Sequence, residues 1–217
     1  MNPNIHGFDF SGLYAITDAG LHADGIACQV ERAIQGGARV VQYRDKGSDR
    51  DRRLQEADQI LSACRRHGVP LLINDDVELA RQLGADGVHL GRDDADLTRA
   101  HAMLGQDAII GVSCYNRLEL ALQAREAGAD YVAFGRFFSS QSKPAAVQAH
   151  PELLREARTV LDCPLVAIGG ITEQNGRPLI EAGANMLAVI RGVFGAADVT
   201  AAARSISRLF IDPETHP

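Results

Sequence analysis

No run of eighteen or more apolar residues occurs in this 217-residue chain, so it lacks the length of apolar sequence a membrane-spanning helix needs. The N-terminal segment MNPNIHGFDF has no basic region leading into an apolar one, and no secretory signal is read there; the expected location is the cytoplasm. Positive charge is not in excess. A net charge of −6 and a pI near 5.6 exclude general nucleic-acid binding, while anions can still be held where a few cations share one cleft. CxxC pairs are also missing: Cys28, Cys64, Cys114 and Cys163 are widely spaced and read as reduced core thiols, with neither a disulfide framework nor a zinc site. No G-x-G-x-x-G follows an early strand and no G-x-S-x-G elbow is present, which removes the dinucleotide fold and the common hydrolase nucleophile.

What is present is a repeat. Four segments pass from a helix end through small residues into an apolar strand: GGARVVQYRD from Gly36, GADGVHLGRD from Gly84, GADYVAFGRF from Gly128 and GANMLAVIRG from Gly183. A glycine at each helix end can take the left-handed conformation that stops the helix. Between these lie the shorter apolar runs GLYAITD, PLLINDD, AIIGVSC and PLVAIGG, each followed by a stretch of helical periodicity such as RLELALQAREAGA. Eight near-continuous apolar strands alternating with helices indicate a parallel sheet covered on its outer face, and eight units in this length indicate a (β/α)8 TIM barrel. The expectation is one domain over residues 1–217, with a core of about 12–210 and short terminal tails.

In such barrels chemistry gathers where strands end. The second strand closes on Gln42, Arg44 and Lys46, spaced by two and therefore on one face, offering a guanidinium fork and a compact ammonium to a phosphate or diphosphate. The third ends in Asn74, Asp75 and Asp76, and the fourth in Arg92, Asp93 and Asp94. Rim carboxylates of adjacent strands suit magnesium, which takes one or two carboxylates with water and phosphate oxygens. Asp76 is expected to cap a helix starting near Val77, and Asp75 to serve the metal. Ser113 closes the fifth strand. Ser139, Ser140, Ser142 and Lys143 follow the sixth, a composition shared by phosphate loops and surface loops. Gly169–Gly170 end the seventh and Ile190–Arg191–Gly192 the eighth, where backbone N–H groups can approach an anion. Two anion sites imply two phosphorylated small-molecule substrates. His89, flanked by Val88 and Leu90, reads as a satisfied core histidine and is set aside as a base.

The string QYRDK, followed in order by INDD, GVHLGRDD, GVS, SSQSK, IGGI and AVIRG, resembles the motif series of the thiamine phosphate synthases over Gly12 to Phe194. That resemblance implies a transferase joining a hydroxymethylpyrimidine diphosphate to a thiazole phosphate, with release of pyrophosphate and a Mg2+ cofactor. It implies that Gln42, Tyr43, Arg44, Asp45, Lys46 and Asn74 hold the pyrimidine diphosphate, with Ser113 near the pyrimidine, and that Asp75 and Asp94 carry the metal. By the same resemblance Ser140, Gln141, Ser142, Gly170, Ile190 and Arg191 are expected to meet the thiazole phosphate. Arg44, Lys46 and Lys143 are expected to steady the departing diphosphate and, with Ser113, to form the catalytic set. Serines replace the frequent threonines at 140 and 142, Arg136 stands where proline is common, and Arg191 where serine is frequent.

The family reaction passes through a pyrimidine carbocation, which needs no strong general base and agrees with the lack of a compelling triad. A thiazole tautomerase of similar fold would not need the diphosphate residues, and a non-catalytic barrel binding thiazole or thiamine phosphate could keep them. A Schiff-base aldolase would want a lysine within a strand, and none is there. Neither a nucleic acid nor a membrane is an expected partner.

Overall fold

The computed structural model describes residues 4–18, 25–91, 96–139 and 147–211. Eight parallel strands, β1 (Gly12–Ile16), β2 (Ala38–Tyr43), β3 (Leu71–Asn74), β4 (Gly87–Leu90), β5 (Ile109–Tyr115), β6 (Tyr131–Gly135), β7 (Leu165–Ile168) and β8 (Met186–Val189), hydrogen-bond in sequence order, and β8 closes onto β1. The TIM barrel read from the repeat is the observed fold.

The repeat has a mechanical meaning. After α3 (Val77–Leu83), Gly84 stops the helix at φ 63°, and two residues later Asp86 accepts the Leu71 N–H at 2.7 Å while its own N–H donates to the Leu71 carbonyl. Asp130 treats Ile110 the same way, and Asn185 treats Leu165. Each Gly-Ala-Asp/Asn step thus ends one helix and pins the foot of the incoming strand to the one before it. In the first repeat Gly36 stays helical at φ −79° and Gly37 makes the turn at φ 104°, so the second glycine of the pair is the one geometry requires.

The remaining helices are α1 (Ile26–Gln35), α2 (Arg50–His67), α4 (Leu97–Leu104), α5 (Leu118–Glu126), α6 (Pro151–Val160), α7 (Arg177–Glu181), the single turn α8 (Arg191–Phe194) and α9 (Val199–Ser207). Asp49, Asp76, Asp96 and Asp198 cap α2, α3, α4 and α9 through their carboxylates. Helix α2 buries Ala57, Ile60, Leu61 and Cys64, the i, i+3, i+4, i+7 stripe that seats it on the sheet.

Strand alternation sorts the apolar residues into two clusters. The larger, between sheet and helices, takes Leu13, Val41, Leu71, Val88, Val132 and Leu187 from the strands. The smaller fills the barrel with Tyr14, Val40, Leu72, Ile109, Tyr131 and Met186. Ile5 and Phe10 belong to this interior cluster. Asn4–Ile5 and Phe8–Asp9 pair as an antiparallel hairpin, and Phe10 lies 4.7 Å from the Tyr131 ring. The residues before Gly12, expected as a tail, instead help fill the barrel, because the small interior cluster gains apolar partners there. All four cysteines are free thiols; Cys64, Cys114 and Cys163 are buried as expected, whereas Cys28 lies exposed on α1.

Asp86→Ala leaves the Leu71 N–H without its acceptor and is expected to cost about 1–3 kcal/mol in urea unfolding, with Asp86→Asn retaining most of the stability. Equal midpoints for Asp86→Ala and the parent would show that the pin carries no load.

Candidate active site

The C-terminal ends of the strands surround a cavity of about 590 Å3. Its floor is polar although it lies within the barrel. Gln42 is 2% exposed and donates through Nε2 to the Tyr14 hydroxyl at 2.8 Å. The Tyr14 and Tyr131 hydroxyls are 2.9 Å apart. His89 bonds Tyr131 through Nδ1 and Ser113 Oγ through Nε2, both at 2.8 Å. Burial raises the pKa of both phenols well above the ordinary tyrosine range, so both stay neutral.

Around this floor the predicted residues separate by strand geometry. Gln42 and Arg44 face the cavity, as the spacing by two requires. Arg44 donates from Nη1 to Asp18 at 3.0 Å, and its backbone N–H is held by Thr17 Oγ1 at 2.9 Å. Lys46 lies in a second cavity of about 620 Å3, whose lining includes Asp45, Asn74, Asp75, Asp76 and Glu78. Asn74 lines both cavities, which are therefore neighbours.

Tyr43 is a correction. Its side chain turns outward into the layer between sheet and helices, where its hydroxyl donates to Glu56 at 2.8 Å, because it has the opposite parity to Gln42. The Asp45 carboxylate is likewise engaged in shaping the strand-end loop. It accepts the Gly47 N–H at 2.6 Å and pairs with Arg52 at 2.6 Å. Burial opposes its ionisation, but these two donors prevail and hold its pKa low.

Asp76 caps α3 by accepting the Leu79 N–H at 2.9 Å and pairs with Arg53 at 2.8 Å, as its position next to Val77 suggested. Asp75 sits at φ 62°, a conformation that is costly for a residue with a Cβ. Three bonds hold it there: its N–H donates to the His89 carbonyl at 2.9 Å, Oδ1 accepts the Gly91 N–H at 3.0 Å, and Oδ2 accepts from Asn74 Nδ2. The carboxylate is thereby fixed over the rims of β3 and β4. Hard oxygen donors beside a lysine and an asparagine fit a magnesium-bound phosphate. Among the described residues no group of three or more His, Cys, Asp or Glu is arranged around a metal position, and a cation completed by water and phosphate oxygens does not require one.

On the opposite wall, Gly169 and Gly170 adopt φ 107° and 63°. A Cβ on Gly170 would lie 2.4 Å from the Ser139 carbonyl, so only glycine lets the β6 and β7 loops meet. Ile190 and Arg191 line this side, with Arg191 exposed at the start of α8. Ser113 shares the inward parity of Ile109 and so faces the cavity; the β5–β6 register shifts only beyond it, toward Tyr115. Asp94, Ser140, Gln141, Ser142 and Lys143 lie outside the described residues.

Nothing in the strand-end motifs marks Tyr14 or Tyr131, and the apolar flanks of His89 mark it only as a core residue. His89 is the satisfied core residue it was read as, since both ring nitrogens are bonded; it also lines the cavity. The usable signal was parity. His89 lies two residues before Gly91 and on the same parity as Asn74 in the paired register, so it had to face inward.

A family model described as thiamine monophosphate synthase matches residues 13–193. A thiamine-phosphate synthase of Marinobacter nauticus is 52% identical over 202 residues, covering 92% of this chain and 90% of that protein. Another from Thiobacillus denitrificans is 50% identical over 204 residues, covering 94% and 97%. Among solved structures, a thiamine phosphate pyrophosphorylase from Pyrococcus furiosus superposes with a TM-score of 0.84 at 32% identity, covering 92% of this chain and 95% of that one. A barrel whose inward-facing strand ends bear Gln42, Arg44, Asn74 and Ser113, and whose sequence matches at this level over nearly its whole length, belongs to the thiamine monophosphate synthase family.

Proposed function

We propose that this chain joins a hydroxymethylpyrimidine diphosphate to a thiazole phosphate, forming thiamine phosphate and releasing pyrophosphate. The observation that carries this reading is the convergence of Gln42, Arg44, Asn74 and Ser113 from one side, and Gly170, Ile190 and Arg191 from the other, on a single cavity. Asn74 also lines a neighbouring cavity that bears Lys46 and Asp75. One ligand is gripped by strand-end side chains with a cation-and-carboxylate pocket for its diphosphate; the other meets glycine-rich backbone suited to a monophosphate. A tautomerase acting on the thiazole alone would leave the Arg44, Lys46 and Asp75 arrangement without a partner.

The chemistry asks little of any base. The bond between the exocyclic carbon and the diphosphate oxygen breaks, and the electron pair leaves with the diphosphate. The thiazole nitrogen then donates its lone pair to that carbon. No proton has to move for either event, which suits a floor whose phenols are neutral and whose imidazole nitrogens are both engaged. Arg44 and Lys46 offset the charge growing on the leaving diphosphate, with Lys143 assigned beside them from its place in the motif series. Asp75 and Asp94 would hold Mg2+, which supplies further neutralisation of phosphate charge when bound. Ser140, Gln141 and Ser142 are assigned to the thiazole phosphate with Gly170, Ile190 and Arg191. Tyr43 and Asp45 contribute by shaping the β2 loop.

Three outcomes are expected. Purified protein given both phosphorylated substrates and Mg2+ releases pyrophosphate and yields thiamine phosphate; binding of both ligands with no coupled product would mean a sensor in place of an enzyme. Asp75→Ala keeps the fold and lowers turnover by about 100-fold, with the Mg2+ titration displaced to higher concentration. An unchanged titration would remove Asp75 from the metal site. Arg191→Ser raises the KM for thiazole phosphate by about fivefold at most, since an exposed charge contact is worth at most about 1 kcal/mol; abolished binding would show a larger role.

A further inference from the structure

Under the cavity floor, four side-chain hydrogen bonds in series link the barrel from β2 to β5, and only their two ends had been assigned a role. We propose that Tyr14, Tyr131 and His89 are positioning residues that make these bonds run one way, so that Gln42 presents an acceptor and Ser113 a donor to the bound ring. The site would thereby select a heteroaromatic ring bearing an amino group over the same ring bearing an oxo group. This rests on the reading that Gln42 and Ser113 hold the pyrimidine, and it adds what fixes their polarity.

The direction follows from counting protons. Gln42 Nε2 donates to the Tyr14 hydroxyl at 2.8 Å. The single proton of Tyr14 then has the Tyr131 oxygen, 2.9 Å away, as its acceptor. Tyr131 in turn gives its proton to His89 Nδ1 at 2.8 Å, which puts the imidazole proton on Nε2, facing Ser113 Oγ at 2.8 Å. The Ser113 hydroxyl has thus received a hydrogen bond and turns its own proton to the cavity, while at the other end Gln42 is left with Oε1. Turning one link around forces every link between it and the end of the series to turn, or strands a buried donor.

The surroundings hold the series rigid. Tyr14 and Tyr131 are essentially fully buried, so water does not compete along the middle of the chain. Tyr131 fills space that exists only because residue 111 is glycine: a Cβ there would lie 1.9 Å from the ring carbon bearing the hydroxyl. Phe10 packs on the Tyr131 ring from the hairpin side, and the His89 ring stacks on it at 5.6 Å with an interplanar angle of 25°. An amino group would donate to Gln42 Oε1, and a ring nitrogen lone pair would accept from Ser113. In the oxo tautomer the exocyclic oxygen faces Oε1, a repulsive contact, and the ring N–H requires the Ser113 hydroxyl to turn its proton away from the ring.

The test compares the amino- and oxo-substituted hydroxymethylpyrimidine diphosphates at saturating thiazole phosphate and Mg2+. The parent protein is expected to prefer the amino form by about 100-fold or more in kcat/KM, because a site built around a hydrogen bond rejects the analogue that cannot make it. Tyr131→Phe cuts the series in its middle. It is expected to raise the KM for the amino substrate by about tenfold and to bring the preference down to about threefold, with the KM for thiazole phosphate unmoved. His89→Gln, which keeps an N–H aimed at Ser113, is expected to retain more of the preference than His89→Ala. A folded Tyr131→Phe protein that keeps the parent preference overturns the proposal. Should that variant fail to fold, Tyr14→Phe severs the first link, and an unchanged preference in it overturns the proposal equally. If the parent forms no product with either diphosphate, the assigned activity fails by itself. Calorimetric binding of the same two diphosphates to parent and Tyr131→Phe then decides: loss of an amino preference in the variant supports the one-way series, and equal binding of both compounds by the parent overturns it.

Discussion

Closing eight parallel strands into a ring gives every second side chain one place to go, the interior, and that interior is narrow. Everything distinctive about this molecule follows from how that space is divided. Toward the strand feet it is filled by apolar side chains, including Phe10 and Ile5 from the N-terminal hairpin. Higher up, Gln42, Tyr14, Tyr131, His89 and Ser113 replace them, and a buried polar group is tolerable only if it is paired. The five side chains pair along the series, so the barrel supports a polar cavity floor whose remaining acceptor on Gln42 and donor on Ser113 are turned to the cavity.

Parity also explains why neighbours in one motif do different work. In the string from Gln42 to Lys46, alternate residues face the cavities, while Tyr43 is packed against the helix layer and the Asp45 carboxylate is tied down by Gly47 and Arg52. Tyr43 and Asp45, the latter also in the lining of the second cavity, fix the loop that carries the others. At the next strand end the residues change role again. Asp76 is spent on the cap of α3 and on Arg53, and Asp75 is held in a left-handed backbone by bonds to β4. A carboxylate kept in a costly conformation by three separate hydrogen bonds marks a place where position matters more than local stability.

Much of this is legible in the residues alone. The Gly-Ala-Asp/Asn repeat identified the barrel because each copy performs one mechanical task, and the helix cap at Asp76 was plain from the residues next to it. Tyr43 was misplaced because a motif was read as a block where the strand reads it by twos. His89 was set aside because a bonded core histidine and a cavity-lining histidine share the same apolar flanks; only the third dimension shows Ser113 and Tyr131 on its two nitrogens. The hairpin was read as a tail because MNPNIHGFDF has too few apolar residues to announce a strand pair, and its value comes from contacts with Tyr14 and Tyr131 more than a hundred residues apart from each other.

The floor and the rim therefore solve different problems. Under the proposed function Arg44, Lys46 and Asp75 would deal with phosphate charge, which is large, hydrated and displaced during the reaction, and Arg44 already carries a counter-charge in Asp18. Discrimination among neutral rings cannot come from such groups, since it depends on a few hydrogen bonds whose direction must be settled before the ligand arrives. A series of buried hydroxyls and an imidazole, each with one proton and one acceptor, supplies that fixed direction without a net charge. The glycine opposite Tyr131 and the phenylalanine beneath it belong to the same device, because a one-way series is only as reliable as the rings that carry it are immobile.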